Sequence, residues 1–288
     1  MVAHRDPITA LSSLDFDVDY SSWNIRLLLI GGGFLFYLGI FVISHIVSVV
    51  LFATYRSLLA KEKVFWNLAA TRAVFGVQCI VTGLTALLID PVLVADQITG
   101  QQGWAFFTIL IAIGFFLFEN LALHTSNFVF WTFDILLAVH HFFAFIGFLG
   151  AVICSTAGHY LPMVTLLLEM STPFTCISWM LLKAGWSQTL FWKVNQWIMI
   201  HMFHCRIVLT YHLWWVSLYN WDRLVRSVSV LYVAFFIVGL TLVTFILNPF
   251  WTFKKTQQLL TPVDWNFEPA SKKSSREGNG RIGMKKTK

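Results

Sequence analysis

Seven long apolar stretches alternate with short polar connections along the chain: Ile25–Phe52, Phe65–Ile89, Trp104–Leu123, Phe128–Ile153, Tyr160–Leu182, Leu190–Leu218 and Val228–Phe250. A helix that crosses the hydrocarbon core needs about 20 apolar residues, and each stretch reaches that length. Apolar residues occupy most faces of each stretch, as expected of helices packed within lipid and not of amphipathic helices lying on its surface. Trp23, Trp66, Trp104, Trp131, Trp192 and Trp251 fall at or just inside the segment ends, where indoles prefer the headgroup level. The pattern predicts an all-α, multi-pass membrane protein with seven spans.

Composition agrees. Of 288 residues, 57% are hydrophobic and only 12% are charged, against roughly 25% charged in a soluble domain. Soluble globular, disordered and disulfide-scaffold classes are thereby excluded. Cys79, Cys154, Cys176 and Cys205 lie in or beside apolar runs with no Cys-x-x-Cys pair, so buried, reduced thiols are expected. The first 24 residues are polar and acidic and do not read as a cleavable signal.

Charge sets the orientation. Arg56, Lys61 and Lys63 occupy the first connection, Lys183 the fifth, and Lys193 follows just inside the next segment. From Lys254 onward there are nine Lys/Arg against Asp264, Glu268 and Glu277, so 9 − 3 = +6, equal to the whole net charge. Asp90 and Asp96 mark the opposite side, and only Arg223 and Arg226 go against the trend. The positive-inside rule then predicts a lumenal N-terminus and a cytosolic C-terminus. The surplus sits in a tail and short loops, which argues against nucleic acid as a partner. Residues 1–24 are expected to form a lumenal segment, 25–52 the first transmembrane helix, 65–250 a helical domain, and 251–288 a cytosolic tail. Lys285-Lys286-Thr287-Lys288 resembles a dilysine retrieval signal. It implies residence in the endoplasmic reticulum membrane, cycling through the intermediate compartment toward the Golgi, and a retrograde coat as partner.

Titratable groups within hydrocarbon are costly and are functional suspects by default. Rise per residue places Arg72, Glu119 and Asp134 about 6–10 Å inside the cytosolic ends, as a structural polar layer. His140, His141, Glu169, His201 and His204 come out at about 16–21 Å, near mid-bilayer, with Arg206 slightly beyond. Trp197, His201, His204, Val208 and Tyr211 share one helical face, which is expected to point into the bundle. Pro173, two residues after Ser171, should kink its helix and free carbonyls near Glu169. A neutral histidine there could act as a base or a nucleophile, its second nitrogen held by Glu169 or Asp134. Lone His45 and His124 read as structural. His201-x-x-His204 is also a metal-ligand spacing, but the histidines are too few and too deep for a di-iron site, and no metal is expected.

Phe133-Asp134, His140-His141, Gly158-His159-Tyr160, Glu169-Met-Ser171-Thr-Pro173-Phe174 and His201-Met-Phe-His204-Cys-Arg206 together resemble the TLC domain family. That family is named for translocating-chain-associated, ceramide synthase and ceroid-lipofuscinosis proteins, and the likeness covers about Phe65 to Phe250. The resemblance implies a six-helix barrel with one additional N-terminal helix and a cavity open to the cytosol. In the family's ceramide synthases the paired histidines act in acyl transfer from acyl-CoA, which maps onto His140 and His141. Their downstream His-Asp is replaced here by Leu168-Glu169-Met170, so an acceptor other than a sphingoid base is implied. Catalytic roles therefore fall to His140, His141, Glu169 and Asp134, and a lipid or acyl cavity to His201, His204, Arg206, Tyr211 and Ser171. The resemblance implies acyl-CoA as a candidate co-substrate, and no permanently bound cofactor is expected. Two readings follow from the ceroid-lipofuscinosis branch: acylation of a lysolipid or glycerophosphodiester serving lysosomal lipid supply, or export of soluble lysosomal enzymes as a cargo receptor. A third is a lipid-binding or sensing protein without turnover. Membrane lipids are partners in each, and a homodimer is compatible with all.

Overall fold

The computed structural model describes residues 19–131, 135–264 and 267. Twelve α-helices follow one another among them: α1 (Trp23–Leu51), α2 (Ala53–Ser57), α3 (Ala60–Leu84), α4 (Pro91–Ala95), α5 (Gly103–Phe130), α6 (Ile135–Ile153), α7 (Tyr160–Leu166), α8 (Thr172–Lys183), α9 (Leu190–Tyr219), α10 (Trp221–Ser227), α11 (Val230–Leu242) and α12 (Asn248–Leu260). Single wide turns of π geometry extend α3 through Ile89 and join α11 to α12, and a 3₁₀ turn over Leu167–Ser171 joins α7 to α8. The expected all-α, multi-pass architecture is present. Six of these runs are long and apolar enough to cross a membrane: Trp23–Leu51, Ala60–Ile89, Gly103–Phe130, Ile135–Ile153, Tyr160–Lys183 and Val230–Leu260. At 30 residues, α9 matches them in length. It is more polar because it carries Lys193, Asn195, Gln196, His201, His204 and Arg206.

The helices close into a ring. Helix α3 packs on α5, α5 on α6, α6 on α11, α12 on α9, α9 on α8, and α8 returns to α3. Helix α1 lies outside this six-membered ring against α5 and α3. Backbones meet closely where α1 crosses α5: a Cβ added at Gly33 would fall 2.8 Å from the Ile111 carbonyl oxygen. Small residues at such crossings let membrane helices approach and gain dispersion contacts that lipid cannot outcompete.

Several boundaries differ from those the apolar runs suggest. Helix α5 continues seven residues past Leu123 and stops at Trp131, whose backbone is left-handed (φ 52°). The Phe128 start expected for the fourth span therefore belongs to the third. Helix α12 runs ten residues beyond Phe250, so Trp251 lies within a helix and not at its end. Trp66 and Trp192 are not headgroup indoles either. Both are buried, donating to Ser48 Oγ (3.0 Å) and the Ser178 carbonyl (3.1 Å). Cys154 is half-buried and Cys205 exposed, whereas Cys79 and Cys176 are buried as expected. Arg223, which runs against the charge rule, donates to Asp96 Oδ2 (2.7 Å) and Thr99 Oγ1 (2.8 Å). Its charge is offset on the spot.

Candidate functional site

Pro173 sits at the start of α8 and cannot donate to the preceding turn, so the chain passes through a 3₁₀ turn over Leu167–Ser171 before α8 begins. That turn carries Glu169. It lies close against α3, where a Cβ on Gly76 would come 2.5 Å from Pro173 Cδ and 3.2 Å from the Glu169 carbonyl oxygen. Across the ring, α6 presents His140 and His141 on directions about 100° apart. His140 Nε2 lies 3.2 Å from Glu169 Oε1, and Thr172 donates its hydroxyl to Glu169 Oε2 at 2.5 Å. Because an ionised carboxylate only accepts, the shared proton belongs to His140 Nε2. In the neutral form of the ring the lone pair is then on Nδ1. Trp251 of α12 meets the His140 ring edge-on at 5.3 Å.

His141 turns into the wall. It is 5% exposed, its Nε2 is 3.8 Å from Glu119 Oε1, and its Nδ1 has no partner among the described residues. Glu119 also receives Arg72, from Nε at 2.8 Å and from Nη2 to the same oxygen. The expected shallow polar layer is thus continuous with the histidine pair, because the packing of α3, α5 and α6 brings Arg72, Glu119 and His141 together. Asp134 lies outside the described residues. His45 is satisfied by the Tyr55 hydroxyl (2.6 Å) and His124 faces outward.

Two cavities meet at the pair. One, about 100 Å³, is walled by α6, α7, α11 and the turn after it, with Phe116, Phe143, Phe148, Tyr232, Phe235 and Phe236 prominent. The other, about 160 Å³, carries Arg72, His141, Ser171, Thr172, Lys254 and Lys255. His140, Glu169 and Arg206 line both. A greasy chamber and a basic vestibule therefore share one histidine–carboxylate pair.

The expected inward face of α9 is overturned. Trp197, His201, His204, Val208 and Tyr211 all point outward, with Tyr211 58% exposed. Gln196, Met199, Phe203, Arg206, Thr210, Leu213 and Ser217 are the buried face instead. His204 and Arg206 are two residues apart, about 200° around the helix, so only one of them can enter the ring. Arg206 does, donating from Nη1 to Ser171 Oγ at 2.9 Å. His201 is satisfied within its own helix by the Trp197 carbonyl at 2.8 Å. Of the expected cavity residues, Arg206 and Ser171 line the vestibule, while His201, His204 and Tyr211 do not.

Thr172, Trp251, Lys254 and Lys255 were not anticipated. A signal for the last helix existed: Asn248, Trp251, Lys255 and Gln258 recur at helical spacing, and Asn248 and Gln258 are buried.

The TLC domain family matches residues 65–256, which take in all or most of each ring helix and all the residues of the histidine–glutamate site. The chain is 64% identical over 271 residues to Protein CLN8 of Homo sapiens, covering 94% of this chain and 95% of that one. It is 64% identical over 273 residues to Protein CLN8 of Canis lupus familiaris, and 63% over 273 residues to that of Rattus norvegicus, with the same coverage. No solved structure matches it. The family match along residues 65–256, which runs through the six-helix ring and its half-buried His140–Glu169 pair, places this chain in the TLC domain family.

Proposed function

We propose that the chain is an intramembrane acyltransferase that moves an acyl group from acyl-CoA to a hydroxyl of a lysolipid or glycerophosphodiester. The observation that carries this reading is His140, bonded to Glu169 at 3.2 Å, at the junction of an apolar chamber and a basic vestibule. The acyl chain occupies the chamber, and Lys254 and Lys255 attract the phosphates of CoA. Glu169 holds His140 in the tautomer with a proton on Nε2, leaving Nδ1 as the base. The acceptor hydroxyl gives its proton to Nδ1 as its oxygen attacks the thioester carbon. The C–S bond then breaks and the same proton passes to the departing sulfur, giving an ester and free CoA. His141, Glu119 and Arg72 brace the wall behind His140.

The test is transfer of labelled acyl groups from acyl-CoA to lysolipid or glycerophosphodiester acceptors by the purified protein. His140→Ala and Glu169→Gln are expected to lower turnover by roughly 10²-fold or more. Absence of turnover in the wild type, or turnover unchanged in His140→Ala, overturns the reading.

Lys285 and Lys286 support a second reading in which the chain resides in the endoplasmic reticulum and cycles toward the Golgi as a receptor for soluble lysosomal enzymes. Both lysines lie outside the described residues. Replacing them by Ser is expected to redistribute the protein while leaving acyl transfer intact, and an unaltered distribution removes the support for cycling.

A further inference from the structure

Arg206 is 3% exposed, yet its Nε and Nη2 have no hydrogen-bond partner among the described residues. Only Nη1 is engaged, by Ser171 Oγ at 2.9 Å. The guanidinium carbon lies 5.1 Å from the Phe203 ring centroid and 5.6 Å from that of Trp251, so two aromatic rings lie beside the group. Nearby Glu169 makes its hydrogen bonds with His140 and Thr172 and none with the open donors. A buried cation with two unmet donors is expensive. Such a group is kept where a ligand completes it.

Nε and Nη2 lie on one edge of a planar guanidinium and form a fork that matches two oxygens of a single phosphate or carboxylate. The charges of the vestibule point the same way. Arg72, Arg206, Lys254 and Lys255 line it against one carboxylate, Glu169; with Arg72 paired to Glu119 and Lys254 left out of the balance, Arg206 and Lys255 still outnumber Glu169. The remaining balance is positive and suits an anion. The apolar chamber opens beside the same guanidinium, so an anion carrying an acyl chain would be held at both ends.

We infer that the Nε–Nη2 edge of Arg206 is the seat of a phosphodiester, and that this selects an anionic acceptor over a neutral one. The inference deepens the acyltransferase reading by naming the residue that holds the acceptor's phosphodiester, and it is tested by binding without acyl-CoA, so that no transfer enters the readout. The full chain in phosphatidylcholine nanodiscs is titrated with lysophosphatidylglycerol, with monoacylglycerol of the same chain length, and with inorganic phosphate. Dissociation constants and melting temperatures are followed.

The wild type is expected to bind lysophosphatidylglycerol at least roughly tenfold more tightly than monoacylglycerol, the scale of one charge-assisted hydrogen bond. Arg206→Met should erase that preference and Arg206→Lys, which keeps the charge without the fork, should retain part of it. Stabilisation by inorganic phosphate alone, dependent on Arg206, would assign the seat to the free ion and overturn the headgroup assignment. No preference in the wild type, or one unchanged in Arg206→Lys, overturns the inference even if Arg206→Met does not fold. In the transfer assay, an equal loss toward neutral and anionic acceptors in Arg206→Lys would place the fork on the thioester oxygen and likewise overturn it. If transfer is absent but the Arg206-dependent preference remains, the anion seat stands and only the acyltransferase reading falls.

Discussion

Glu119→Gln isolates the value of charge in the wall behind the histidines. Glu119 is fully buried, and Arg72 delivers both Nε and Nη2 to its Oε1. Glutamine keeps the shape of the side chain and one acceptor oxygen, so no cavity opens. What remains is a guanidinium, itself 9% exposed, without its counter-charge. Removing one member of a buried ion pair costs about 3–5 kcal/mol, because the partner's desolvation is no longer offset. At roughly 2 °C per kcal/mol for a chain of this size, the melting temperature should fall by about 6–10 °C. The assay is thermal unfolding of purified protein in nanodiscs, read by tryptophan fluorescence. A second arm uses Arg72→Met together with Glu119→Leu. Replacing both charges by apolar groups removes the desolvation cost along with the attraction, so the double variant should recover most of the loss. A Glu119→Gln protein melting within about 2 °C of wild type, or a double variant less stable than either single one, would refute the claim that this pair is a coupled unit.

Two further outcomes follow from the same geometry. Burial lowers His159 to about 4, and the Gln102 backbone N–H donates to its Nδ1 at 3.1 Å. The unfolded chain therefore binds the proton more tightly, so this contribution to stability is complete above about pH 6.5 and is lost between there and about pH 4, up to about 3 kcal/mol. Denaturation curves between pH 7 and 4.5 should show this slope in the wild type and a shallower one in His159→Gln, and equal slopes would count against it. Asp96 does not interfere in that range. Burial would raise its carboxyl, but hydrogen bonds from Thr99, Ile98 and Arg223 outweigh this and hold it at about 2. Second, His201→Leu and His204→Leu should leave acyl transfer within about twofold of wild type, since both rings face away from the cavities. A larger loss would mean that the outer face of α9 takes part in the reaction.

The existence and helical type of the long elements were legible from hydropathy, because a lipid-spanning backbone must satisfy its hydrogen bonds internally and leaves a long apolar run behind. His140, His141 and Glu169 stood out as candidates for a related reason: in so apolar a chain each titratable group is conspicuous. The break before α8 could be placed from Pro173. Three things were decided by tertiary structure alone. Which of His140 and His141 meets Glu169 depends on how α6 is set against the 3₁₀ turn that carries Glu169, and that contact spans 29 residues of sequence. The union of Arg72, Glu119 and His141 into one wall depends on three ring helices meeting. The rotation of α9 is the clearest case. In water an amphipathic helix announces its buried face, but in lipid both the bundle side and the lipid side are apolar. Outward His201 and His204 therefore look no different in sequence from inward Arg206, and only the packing of Phe203 and Leu213 with the Ser171 hydrogen bond settles which side enters the ring.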